Sequence, residues 1–204
     1  MEYKFDAFIS YRHAEVDSAV AKDIQHWLEH FHVPKAIQKT SGKKKINRVF
    51  RDKEELPLSM NLGETITDAL IHSEYLIVIC SPRTQESQWV QREIETFLET
   101  HDLEHILVVI AEGEPDDVIP KILTYKETTA INENGEEITV KEDLEPLGCD
   151  YRVGKRKAHK EELPRLAASL LNCSYDDLIQ RARQYRTRVI SGILATVLAL
   201  LWAF

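Results

Sequence analysis

Two uninterrupted apolar runs, YLIVIC from Tyr75 to Cys80 and HILVVIA from His105 to Ala111, constrain this chain more than any other feature. A strand with one wet face alternates apolar and polar residues. A strand that is apolar at nearly every position needs cover on both faces, which is the situation inside a parallel sheet flanked by helices. The neighbouring sequence supplies both the cover and further strands. KFDAFIS, Lys4 to Ser10, reads as a strand that ends at the polar Tyr11-Arg12-His13, and Ile46 to Phe50 reads as a shorter one after the basic turn Lys43-Lys44-Lys45, taken as solvated. Between them Val20, Ala21, Ile24, Trp27, Leu28 and Phe31 recur at helical spacing until Val33-Pro34 breaks the pattern. Leu62 to Ser73 and Ser87 to Thr100 show the same period, the latter through Val90, Ile94, Phe97 and Leu98. Strands alternating with helices through short links predict an α/β fold with helices on both faces of a parallel sheet, in which ligands gather at strand C-terminal ends.

Beyond Pro120 the alternation weakens. Glu127 to Ile131 and Glu137 to Val140 flank Asn132-Glu133-Asn134-Gly135, a turn sequence that predicts a hairpin insertion at about residues 125–141. Leu144 to Arg152 is expected to hold the last strand and Arg156 to Leu171 a helix, followed by a basic helical connector up to residue 188. Residues 189–204, VISGILATVLALLWAF, carry no charge and follow Arg181, Arg183, Arg186 and Arg188. A membrane span needs roughly 20 apolar residues, so this run reads as the start of a transmembrane helix; a buried C-terminal helix is the competing reading. The flanking arginines place the preceding domain on the cytoplasmic side of a cell membrane. The N-terminus lacks a secretory pattern, and three widely spaced cysteines fit a reducing compartment.

The formal net charge of -8 argues against a general nucleic-acid binder, which needs a dominant basic face. No glycine-rich phosphate loop, GxSxG elbow or HExxH helix is present, so a kinase, a nucleotide-fingerprint dehydrogenase and a metalloprotease are disfavoured, and no metal site is expected. His26 and His30, one helical turn apart, read as a solvated helix face.

Three segments in order carry a family resemblance. Phe5-Asp6-Ala7-Phe8-Ile9-Ser10-Tyr11-Arg12 resembles the first box of the Toll/interleukin-1 receptor (TIR) family. Phe50-Arg51-Asp52-Lys53-Glu54-Glu55-Leu56-Pro57, running into Leu62-Gly63-Glu64-Thr65-Ile66, is similar to its BB-loop box, although Leu58-Ser59-Met60 stands where a glycine often follows the proline. Ser81-Pro82 after a central strand, then Trp89-Val90-Gln91-Arg92-Glu93-Ile94, is similar to its strand-helix box. The resemblance implies a TIR domain over residues 1–155 with a flavodoxin-like three-layer fold and five parallel strands. It further implies one of two activities, self-association for signalling or cleavage of NAD, and bacterial relatives suggest a role in antiphage defence.

Glu93 matches the position of the family's catalytic glutamate and lies four residues after Trp89, on the same helical face. Loss of nicotinamide converts a cationic ring into a neutral leaving group, so a single carboxylate suffices where an ordinary glycosidase uses two. Ser10, Tyr11, Arg12, Phe50, Arg51, Asp52, Ser81 and Trp89 are the expected substrate-binding residues, with NAD as substrate, no resident cofactor, and a homo-oligomer as the active form. A non-catalytic scaffold and a nucleotide sensor are the alternatives.

Overall fold

The protein is described by a computed structural model covering residues 3–51, 62–131, 137–184, 187, 190 and 191. β1 (Phe5–Ser10) leads through α1 (Glu15–Glu29) and α2 (Lys35–Ser41) to β2 (Val49–Arg51). Then follow α3 (Leu62–Ile71), β3 (Ser73–Cys80), α4 (Gln88–Leu98), β4 (Ile106–Ile110) and α5 (Pro115–Val118). A hairpin of β5 (Tyr125–Ile131) and β6 (Glu137–Asp143) precedes β7 (Cys149–Asp150), after which α6 (Lys155–Lys157) passes through a π-helical stretch, Ala158–Glu162, into α7 (Leu163–Leu170). Pro164 in the first turn of α7 has no N–H for the preceding turn, where the helix widens.

The sheet runs in the order β2-β1-β3-β4-β7, and every neighbouring pair is parallel. Side chains of the central strands divide strictly by alternation. Ala7, Ile9, Ile77, Ile79 and Val109 face one core, with α1 and α7; Phe8, Leu76, Val78, Cys80 and Val108 face the other, with α3 and α4. This is the two-sided cover demanded by the apolar runs, and each buried aliphatic side chain contributes about 2 kcal/mol of transfer free energy. The hairpin forms its own antiparallel pair, with Thr128 opposite Val140; its turn, residues 132–136, lies outside the described residues.

Three expectations are corrected. No helix among the described residues is long and apolar enough to cross a membrane, which overturns the C-terminal transmembrane helix; residues 192–204, most of the apolar run, lie outside the described residues. Lys43 is not part of a solvated turn. Its ammonium meets Asp6 Oδ1 at 2.8 Å, Glu74 Oε2 at 2.5 Å and the Leu170 carbonyl at 3.0 Å, joining the starts of β1 and β3 to the end of α7. Burial pushes its pKa down, but the two carboxylates outweigh that and raise it. Finally Val33-Pro34, expected to end the first helix, is followed at once by a second, α2: Pro34 precedes it and Gly42, left-handed at φ 73°, ends it.

A second polar clamp fixes the chain after β7. Asp23 on α1 meets His159 Nε2 and Lys155 Nζ, each at 2.5 Å, and accepts a hydrogen bond from the Tyr151 hydroxyl. Burial raises the Asp23 pKa, yet these partners outweigh it and hold the carboxyl below its ordinary value. A depressed carboxyl stabilises the fold above the unfolded pKa, and that contribution is lost as pH falls through the folded one. Asp23→Asn should therefore destabilise the protein by about 3 kcal/mol at pH 7, the cost of breaking a partly buried charge network. In urea titrations the gap from wild type should narrow below about pH 4, where the unfolded carboxyl protonates; a gap independent of pH would rule out the charged clamp.

Candidate active site

The strand order reverses direction between β1 and β3, because β1 connects outward to β2 while its other neighbour is β3. Crevices at such switch points, at the carboxyl ends of the strands, are where open α/β sheets bind ligands. Ser10 ends β1 and Ser81 follows β3, so these two serines flank the crevice.

α4 carries the candidate catalytic side chain, Glu93. Ser87 caps the helix, its Oγ accepting the Val90 N–H, and Val90, Ile94 and Phe97 bury its inner face. Glu93 belongs to the same inner half and is only 4% exposed. The Ser10 hydroxyl donates to Glu93 Oε2 at 2.5 Å, joining the last residue of β1 to the middle of the helix. A carboxyl group so deeply placed needs such partners, since burying it unpaired costs several kcal/mol.

Glu93 is also part of the wall of a cavity of about 760 Å³ between α3 and α4. Trp89, Arg92, Glu93 and Thr96 line it from α4, and Glu64, Thr67, Asp68 and Ile71 from α3. Both sets follow the i, i+3, i+4, i+7 spacing of one helical face, so two stripes meet across the space. Trp89 is 42% exposed at this wall, an aromatic surface open to a planar ring. The volume lies within the range of about 300–1,000 Å³ usual for small-molecule sites. A smaller cavity of about 340 Å³ on the β4–β7 side, lined mainly by apolar residues, contains none of these groups.

On the other side of the crevice Ser81 donates to Asp17 Oδ2 at 2.9 Å, and Arg12 Nε lies 3.5 Å from the same oxygen. Burial raises the Asp17 pKa, opposed by the hydrogen bond from Ser81 and the charge of Arg12.

Of the residues expected from sequence, the structure brings Ser10, Glu93 and Trp89 together, and sets Arg12 and Ser81 at the adjacent strand ends. Tyr11 is buried in the core below them, its ring edge against His13. Phe50 is packed between the rings of Phe5 and Phe8, and Arg51 is buried, donating to Gln25 Oε1 at 3.0 Å; neither lines the cavity. Asp52 lies outside the described residues. Sequence reasoning missed the α3 stripe, Arg92 and Thr96, which the spacing from Glu93 was able to supply, and missed Asp17, which has no sequence signal beyond its place in a helix's first turn.

A sequence profile described as the TIR-like domain of Thoeris protein ThsB matches residues 8–116, more than half of the chain. The NAD(+) hydrolase ApTIR of an Actinoplanes species is 31% identical over 212 aligned positions, covering 97% of this chain. The chain spans only 28% of the length of that relative. The TIR domains in the activated Roq1 resistosome that recognises the effector XopQ align with 52% of this chain and 57% of theirs, at 18% identity and a TM-score of 0.39. With its three sequence boxes, its parallel sheet and a profile match that begins within β1 and ends within α5, the chain belongs to the TIR-like domain family represented by Thoeris protein ThsB.

Proposed function

We propose that this domain cleaves the nicotinamide N-glycosidic bond of NAD, releasing nicotinamide and ADP-ribose or a cyclic form of it. The observation that carries this reading is the Glu93 carboxyl group, anchored by Ser10 and presented to a cavity with an exposed indole beside it. The likeness to an enzyme named as an NAD(+) hydrolase, over nearly the whole of this chain, supports it.

The chemistry follows from the charge change. The pyridinium ring leaves as neutral nicotinamide, so its departure needs no proton donor, and positive charge develops on the ribose. Glu93 stabilises that charge electrostatically and orients the ribose hydroxyls, with Ser10 holding one of its oxygens in place. Trp89 provides a stacking face for the ring. Water then captures the sugar cation, giving ADP-ribose and a proton; capture by a nucleophilic position of the adenine gives a cyclic product instead. Arg12, at the far side of the crevice, is placed for the diphosphate through charge-assisted hydrogen bonds. Self-association of the domains is the proposed activation step.

Nicotinamide release from NAD, followed chromatographically at rising protein concentration, tests the reading. Glu93→Gln should lower kcat at least about 100-fold, the scale of removing one preorganised electrostatic group. Ser10→Ala should lower it about tenfold while leaving KM nearly unchanged, because the carboxyl group stays but loses an orienting contact. Specific activity is expected to rise with concentration. No release by the wild-type chain at any concentration would move the reading to a scaffold domain.

A further inference from the structure

Asp17 is fully buried, at 0% exposure, and no charged residue among those described is deeper. It does not cap α1, whose N-cap is Ala14 with no side-chain hydrogen bond. Its Oδ2 is instead committed across the switch point: Ser81 Oγ donates to it at 2.9 Å, and Arg12 Nε stands 3.5 Å away. Ser81 is itself fixed, its N–H donating to Thr84 Oγ1 at 2.9 Å. Asp17 Oδ1 is buried with no hydrogen-bond partner. The group thus spans the ends of both strands that frame the crevice.

Burial penalises the charged carboxyl, the charge of Glu112 adds to the penalty, and the hydrogen bond from Ser81 with the charge of Arg12 offsets only part of it. A fully buried carboxyl group with one oxygen left unpartnered is costly to keep in a fold, and such a group calls for a role other than folding. Arg12 supplies that role. Its side chain is 33% exposed at the strand ends, and Asp17 faces one of the five donors of its guanidinium, leaving a planar group accessible to a ligand.

We infer that Asp17 is a positioning residue, which holds the Arg12 guanidinium at the β1–β3 crevice so that it meets the diphosphate of the dinucleotide. The inference rests on the reading of the site given above. Asp17 touches no reacting atom and acts through Arg12. Held in place before the ligand arrives, the guanidinium gives up less rotamer freedom on binding, so the benefit appears in affinity and not in the bond-breaking step.

The test is a double-mutant cycle on the full chain with Asp17→Asn, Arg12→Ala and their combination, reading kcat and KM for NAD cleavage, ADP-ribose affinity by calorimetry, and Tm. Asp17→Asn should raise KM and weaken ADP-ribose binding about tenfold, as expected for a misplaced charge-assisted contact, with kcat within about threefold of wild type. Its Tm should equal or exceed that of wild type, by up to about 3 °C. In the Arg12→Ala background the same substitution should change neither KM nor affinity further. An unchanged KM in Asp17→Asn, an effect that persists without Arg12, or a fall in Tm with kcat and KM worsening together overturns the inference. Should the wild type release no nicotinamide, the catalytic reading fails by itself, and the affinity arm still decides on Asp17; absence of both nicotinamide release and ADP-ribose binding in the wild type overturns both.

Discussion

Cover on both faces of a parallel sheet is the constraint from which the rest of this molecule follows. Since Ile77, Val78, Ile79 and their neighbours on β1 and β4 are enclosed from either side, polar side chains have no place along the middle of the strands. They appear where the strands stop. Ser10, Arg12 and Ser81 are the first polar groups past the apolar stretches on β1 and β3, and the site is assembled there because only there can polar chemistry meet both the sheet and solvent. Glu93 extends this logic to a helix: it occupies a buried position on α4 because Ser10 offers a hydroxyl where the strand would otherwise offer an alkyl group.

Titratable groups drawn into this fold serve two distinct purposes. Lys43 and Asp23 are surrounded by opposite charge, and their pKa values shift toward keeping that charge, so each contributes to stability. Asp17 shifts the other way, toward the neutral form, despite the hydrogen bond from Ser81 and the nearby guanidinium. Lys43 and Asp23 are ringed by partners, whereas Asp17 keeps one buried oxygen with none, and this separates groups that hold the fold together from a group that the fold holds at some expense.

Much of this was legible in the sequence, for reasons that differ by element. The strands β1, β3 and β4 were readable because continuous apolar runs have few alternatives, and α4 because its apolar period is undisturbed. Glu93 was legible through the strand-helix box that surrounds it. α2 escaped notice because Pro34 looks like a stop when it precedes a new helix, and β7 shrank to two residues within a longer polar segment. Lys43 read as solvent-facing since a run of three lysines gives no sign that one of them reaches Asp6 and Glu74, 37 and 31 positions away in sequence. The transmembrane expectation came from hydropathy alone, which measures composition and is silent on whether a long helix forms. Phe50 and Arg51 were assigned to the site by their neighbourhood in a box, while packing drew one into the aromatic core and the other onto Gln25.

The Lys43 junction lies at the opening ends of β1 and β3, and the groups of the crevice lie at their closing ends, a full strand length away. The fold is fastened at one pole and works at the other. Substitutions at the working pole therefore draw little on the fastening, so side chains around the crevice can drift over generations toward new ligands while the scaffold persists.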